Sequence, residues 1–141
     1  MGLFSSGVKG IEVVLIVEDE PLVAFDNENA LAHAGYRVAA TVDRYDDAVA
    51  AMAAGGIDIV VADIGLQGEH SGLDVARHAA TLGITVLFST AACPPEARDL
   101  GIACLAKPYG PRDLVRAIKV IDRMLAGGRP RVPPGAMTLF T

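Results

Sequence analysis

Four short polar groups carry the chemistry that this sequence can offer. The acidic triplet Glu18-Asp19-Glu20 follows an apolar run over 11–17, and Asp63 follows a second run over 57–62. The hydroxyls of Ser89 and Thr90 follow a run over 84–88, and Lys107, with Pro108 behind it, follows a run over 102–106. Carboxylates crowded within a few ångströms repel one another, and a bound cation relieves that repulsion. Oxygen-only ligands select a hard ion, with Mg²⁺ the ordinary cellular choice. Mg²⁺ commonly bridges carboxylates to phosphate oxygens, and a lysine ammonium adds a point charge on the same phosphate. A hydroxyl donor completes the set. The implied reaction is phosphoryl transfer to a carboxylate oxygen, driven mainly by positioning and charge neutralisation.

Each group has a plainer use when taken alone. An Asp after a strand is often a helix N-cap, and Glu20 before Pro21 has the same option. Lys-Pro is often a turn, and a Ser or Thr hydroxyl often bonds nearby backbone. A shared position at the ends of four apolar runs is what these plainer uses fail to explain.

The elements that must position these groups follow from the pattern. The runs 11–17, 36–42, 57–62, 84–88 and 102–106 are short and apolar and read as strands, rich in β-branched residues in the first and third. Between them lie helical segments over 21–34, 46–54, 73–82 and 94–100, the first three closed by Gly35, Gly55-Gly56 and Gly83. Pro21 suits a first helical turn. A last helix shows Leu114, Ile118, Ile121 and Leu125 at helical spacing, with Arg112, Arg116, Lys119 and Arg123 off that stripe. The segment 94–100 is short and weakly apolar, the composition of an element that shifts easily or of one that is simply poorly packed. Five alternations of strand and helix predict a parallel sheet, helices on both faces and right-handed crossovers. In such sheets ligands bind beyond the carboxyl ends of the strands, where the polar groups fall.

The 141 residues suffice for one domain over 11–126, flanked by a loose leader over 1–10 and a Gly/Pro-rich flexible tail over 127–141. Aromatics make up only 5%, so the core is built from small aliphatic residues. A formal charge of −5 without a basic stripe argues against nucleic acid. No apolar run reaches the length of a membrane span and no secretory signal opens the chain, which together suggest a cytoplasmic protein. The opening Met1-Gly2-Leu3-Phe4-Ser5-Ser6 fits a short myristoylation pattern that arises easily by chance. Two cysteines, Cys93 and Cys104, are expected as reduced thiols. A flavin site is disfavoured because its phosphate cradle needs Gly, Ser and Thr where this chain has acids. A dehalogenase-type phosphatase would need an Asp-x-Asp pattern that Glu18-Asp19-Glu20 lacks.

The stretches Val14-Leu15-Ile16-Val17-Glu18-Asp19-Glu20-Pro21, Val60-Val61-Ala62-Asp63, Leu87-Phe88-Ser89-Thr90-Ala91 and Leu105-Ala106-Lys107-Pro108-Tyr109 together resemble a response-regulator receiver domain of two-component signalling. The resemblance covers roughly 12–125 and leans toward an alphaproteobacterial subgroup. It implies a flavodoxin-like, doubly wound (βα)5 fold with strand order 2-1-3-4-5. Asp63 matches the phosphoacceptor, Asp19 the direct Mg²⁺ ligand and Glu18 a ligand through water, with the Gly65 carbonyl as a further metal contact. Thr90 matches the hydroxyl that moves onto the phosphoryl group, with Ser89 as its competitor. Lys107 matches the phosphate-binding lysine, with a cis bond to Pro108.

The implied partners are a histidine kinase or histidine phosphotransferase and a downstream protein, with no nucleic acid or membrane. Dimerisation through the fourth helix, fifth strand and fifth helix is a further implied option. The chain would be no enzyme beyond catalysing its own phosphorylation and dephosphorylation. Alternatives are a phosphate sink, or a pseudo-receiver that binds partners without phosphorylation. Three departures stand out: Cys104 replaces the usual switch aromatic, Gln67 stands where the loop after Asp63 customarily has proline, and no output domain is expected after the tail.

Overall fold

The computed structural model of the chain describes residues 10–66, 68–128 and 133–140. The leader up to residue 9, including the myristoylation pattern, and Gln67 lie outside the described residues.

Five parallel strands form the centre: β1 (Val13–Val17), β2 (Arg37–Val42), β3 (Ile59–Asp63), β4 (Thr85–Thr90) and β5 (Ala103–Ala106). Their order is 2-1-3-4-5, as the resemblance implies. The helices are α1 (Pro21–His33), α2 (Tyr45–Ala53), α3 (Gly72–Thr81) and α4 (Pro111–Leu125). Side chains alternate across each strand, so one run feeds two cores. Val14, Ile16, Val61, Leu87 and Leu105 pack with Leu31 of α1 and Leu114, Ile118 and Ile121 of α4. Leu15, Val17, Val60, Val86 and Phe88 pack on the other face with Met52 of α2 and Val75, Ala76 and Ala79 of α3. β1 is buried along its whole length, which is why it reads as continuously apolar.

Two glycines set the frame of the site. Gly35 closes α1 at φ 96°, a left-handed conformation that favours glycine. Gly72 opens α3 so close to the end of β3 that a Cβ would overlap the Asp63 carbonyl and lie 2.7 Å from Ile64 Cα. Ser71 caps α3 by accepting from Leu73 N at 3.1 Å, while Asp74 accepts from Ser71 N at 3.0 Å. The same bond, helped by Arg77, holds the Asp74 carboxyl below its ordinary range.

Three expectations are corrected. The segment expected as a helix over 94–100 is a 3-10 helix, Pro95–Asp99, with only Ala97 buried; Pro94 and Pro95 supply no backbone N–H, and little apolar surface anchors more. The tail expected to be loose contributes a sixth strand, β6 (Met137–Leu139), antiparallel to β5. Met137 buries against the α4 side, and the backbone bonds Ala106 N to Ala136 O (2.8 Å) and Phe140 N to Ile102 O (3.0 Å) extend the pairing. A short Gly/Pro-rich segment thus satisfies an edge that would otherwise stay open. The cysteines, expected as reduced thiols, are joined as Cys93–Cys104, because the turn after β4 folds back over β5.

Candidate functional site

The carboxyl ends of β1, β3, β4 and β5 bring the expected groups to one rim. Lys107, just past β5, is the hub. Its Nζ lies 2.7 Å from Glu18 Oε1, 3.0 Å from Glu20 Oε1 and 3.3 Å from Asp63 Oδ2. The bond to Pro108 is cis. Asp63 ends β3 and is nearly buried; its Oδ1 accepts from Gly65 N at 3.0 Å. Gly65 therefore sits directly against the Asp63 carboxylate.

Glu18 is the more deeply buried acid, at 3% exposure. Its Oε2 accepts from Glu20 N at 3.1 Å. Its Oε1 has the lysine as ion-pair partner but no well-angled hydrogen-bond donor. Burial pushes the Glu18 carboxyl up to about 7, the nearby Asp63 adds to the rise, and Lys107 and the Glu20 N–H oppose it. Burial alone would lower Lys107, yet the carboxylates of Glu18, Glu20 and Asp63 outweigh it and raise its pKa.

Glu20 does not cap α1 with its side chain; that side chain reaches Lys107 instead. Glu18, Glu20 and Asp63 each offer one oxygen within 4.8 Å of the others. Asp19 is not in that set. It lines a neighbouring depression with Thr41, Asp43 and Asp47. Three carboxylates and one ammonium leave a formal excess of two negative charges, and Glu18 Oε1 still lacks a directed donor. An all-oxygen set of that charge suits a hard divalent cation.

The adjacent hydroxyls of β4 have different partners. Thr90 Oγ1 donates to Ala92 O at 3.0 Å and accepts from Ala92 N at 3.3 Å. Ser89, paired in register with Asp63, meets the Tyr109 hydroxyl at 3.0 Å. Tyr109 donates to Asn27 Oδ1 at 3.0 Å. Its single proton is spent there, so Ser89 is the donor to Tyr109. Burial raises the Tyr109 pKa, although both hydrogen bonds oppose the rise.

Asn27, Tyr109 and the direct part of Glu20 were missed by sequence reasoning. Asn27 had a signal. It lies between Ala24 and Leu31 on the buried face of α1, a polar residue at apolar spacing. Tyr109 follows Lys-Pro, but nothing local marks its partners.

The chain matches the family model described as response regulator receiver domain over residues 14–119. It is similar to the crystal structure of a CheY-like receiver domain protein from Methanospirillum hungatei JF-1, with TM-score 0.75 and 22% identity over 83% of this chain and 98% of that one. A response regulator receiver protein from Sinorhizobium medicae WSM419 gives TM-score 0.69 and 25% identity over 83% and 95%. The response regulator TrrA from Thermotoga maritima, solved in complex with Mg²⁺-BeF, gives TM-score 0.69 and 23% identity over 77% and 97%. No curated protein matches the chain.

Proposed function

Because this chain belongs to the response regulator receiver domain family, we propose that Asp63 accepts a phosphoryl group from the phosphohistidine of a histidine kinase or phosphotransferase and that the phosphorylated form signals by binding a downstream protein. One observation carries the reading: a single ammonium, Lys107 Nζ, touches both the end of β1 and the Asp63 carboxylate. In the reaction a carboxylate oxygen of Asp63 attacks phosphorus, the P–N bond breaks and the imidazole leaves. Lys107 neutralises charge on the phosphoryl oxygens as it does now on the carboxylates. The Gly65 N–H holds the attacking carboxylate in place.

Mg²⁺ would be held by Glu18 and Asp63, with Asp19 and the Gly65 carbonyl completing the protein ligands, and when bound would supply charge neutralisation between acid and phosphate. Glu20, exposed and already committed to Lys107, serves to hold the lysine. Thr90 would supply the hydroxyl that turns to the new phosphoryl group. The domain acts on itself only, catalysing its own phosphorylation and dephosphorylation.

The surface read by a partner would comprise the 3-10 segment, β5–β6 and α4. A dimer on this face would have to use it with the β5 edge already taken. Among the described residues no helix is long and apolar enough to cross a membrane. A cytoplasmic location fits a donor charged from ATP, and the acidic balance favours protein partners over nucleic acid. The test is phosphotransfer. Label from a phosphorylated kinase, or acetyl phosphate with Mg²⁺, should appear on the wild type and be absent from Asp63→Asn. Equal labelling of both would remove Asp63 from the reaction.

A further inference from the structure

We propose that Cys93 and Cys104 form a thiol–disulfide modification site that locks the phosphorylation switch when oxidised. The proposal rests on the assignment of Asp63 and Thr90 above. Cys93 lies exposed in the turn three residues after Thr90, and Cys104 lies in β5 at 2% exposure, three residues before Lys107. Their Cα atoms are 6.3 Å apart, within reach of a bridge. Cys104 sits in register between Phe88 of β4 and Thr138 of β6, so its strand is held from both sides. The bridge therefore ties a surface turn to a fixed strand.

What it ties down is the turn that holds Thr90. The Thr90 hydroxyl is engaged with the N–H and the carbonyl of Ala92, the residue next to Cys93. For that hydroxyl to turn toward a phosphoryl group on Asp63, both bonds to Ala92 must break and the turn must move. A covalent anchor one residue away opposes that movement. Reduction removes the anchor, and the two hydrogen bonds to Ala92 can then open without breaking a covalent bond. In a reducing compartment such a bridge is transient, which suits a sensor better than a staple.

The chemistry balances with a peroxide as the oxidant class. The Cys93 thiol is oxidised to a sulfenic acid as hydrogen peroxide is reduced to water. The Cys104 sulfur then attacks the Cys93 sulfur, the S–S bond forms and a second water leaves with the thiol proton. A dithiol reductant reverses the step by exchange. Cys93, in contact with solvent, is the first residue oxidised, and the buried Cys104 resolves it.

The test uses the full chain, reduced with a dithiol and then treated with hydrogen peroxide. Non-reducing peptide mapping should show Cys93 linked to Cys104. Amide exchange at Ala92 should slow by roughly tenfold in the oxidised form, reflecting suppressed local opening. The beryllofluoride-induced NMR shifts at Thr90 and Ala92, present in the reduced protein, should be lost. Cys93→Ser, a change at an exposed position, should behave like the reduced wild type with or without peroxide. Absence of the linked peptide, or exchange that is the same in both redox states, overturns the lock. If beryllofluoride shifts nothing even in the reduced protein, the phosphoacceptor reading fails, and the exchange comparison alone decides the lock.

Discussion

Ser89 and Thr90 are neighbours in β4, yet their hydroxyls are committed to different structures: Ser89 to Tyr109 and through it to α1, Thr90 to the turn at Ala92. Successive strand residues face opposite sides of a sheet, so the Ser89 hydroxyl is held in the packing against α1 while the Thr90 hydroxyl is held by two bonds to an exposed turn. Thr90→Ala should leave Asp63 able to take up phosphate while abolishing the shifts that beryllofluoride induces at 91–93. Ser89→Ala should keep those shifts and lower stability by about 1 kcal/mol, since Tyr109 loses its donor. Urea unfolding and NMR titration separate the two. A Ser89→Ala protein that unfolds normally but no longer responds would reverse the assignment.

The raised pKa of Glu18 has a signed consequence. The folded chain holds this proton more tightly than the unfolded chain does. Without a bound cation, stability should therefore decline as pH rises from the ordinary carboxyl range to about 7, and this group should add no further change above that. A cation must displace the proton, so Mg²⁺ affinity should rise with pH up to about 7 and then level off, by at most about tenfold per unit below it. Calorimetric Mg²⁺ titrations in two buffers of different ionisation enthalpy should detect proton release below neutrality and none well above. Glu18→Gln should lose the pH dependence. A flat profile in the wild type would show Glu18 ionised throughout.

Asp19 and Glu20 compete for the role of third acid. Glu20 stands in the cluster with Glu18 and Asp63, whereas Asp19 lines the depression beside it. Glu20 is exposed and its partner is the lysine, a surface pair that contributes about 0–1 kcal/mol. Asp19→Asn should weaken Mg²⁺ binding by about tenfold or more, and Glu20→Gln by only a few-fold, the pattern of a direct ligand against a neighbour. Titration of both variants decides it, and the opposite ranking would make Glu20 the ligand.

Much of this arrangement was legible because burial writes itself into sequence. Val14 to Val17 read as a doubly buried strand, and polar residues that end such runs must emerge at one rim. That was enough to gather Glu18, Asp63, Thr90 and Lys107. What local pattern could not show was pairing at a distance. Tyr109 meets Asn27 across 82 residues, and no spacing rule connects them. The bridge from Cys93 to Cys104 depends on how the turn after β4 folds back, which two prolines shape but do not announce. The segment after α4 read as linker from its Gly and Pro content, because β6 is too short to show alternation and gains its stability from β5.

That last strand leads to a prediction about the edge of the sheet. β5 has four residues, and without β6 its outer N–H and C=O groups would face solvent, an invitation to pair with another chain. β6 satisfies them and buries Met137, while Phe140 lies 5.7 Å from the Arg98 guanidinium of the 3-10 segment. Removing 133–141 should lower stability by about 2–3 kcal/mol, from the lost Met137 burial and edge hydrogen bonds. It should also promote self-association that depends on protein concentration. Met137→Ala alone should cost about 2 kcal/mol without exposing the edge, and so should stay monomeric. Urea unfolding measures the first effect and sedimentation velocity the second. A truncated chain as stable as the intact one would mean that β6 adds nothing to the fold, and a truncated chain that is destabilised yet strictly monomeric would mean that the β5 edge is protected by something other than its partner strand.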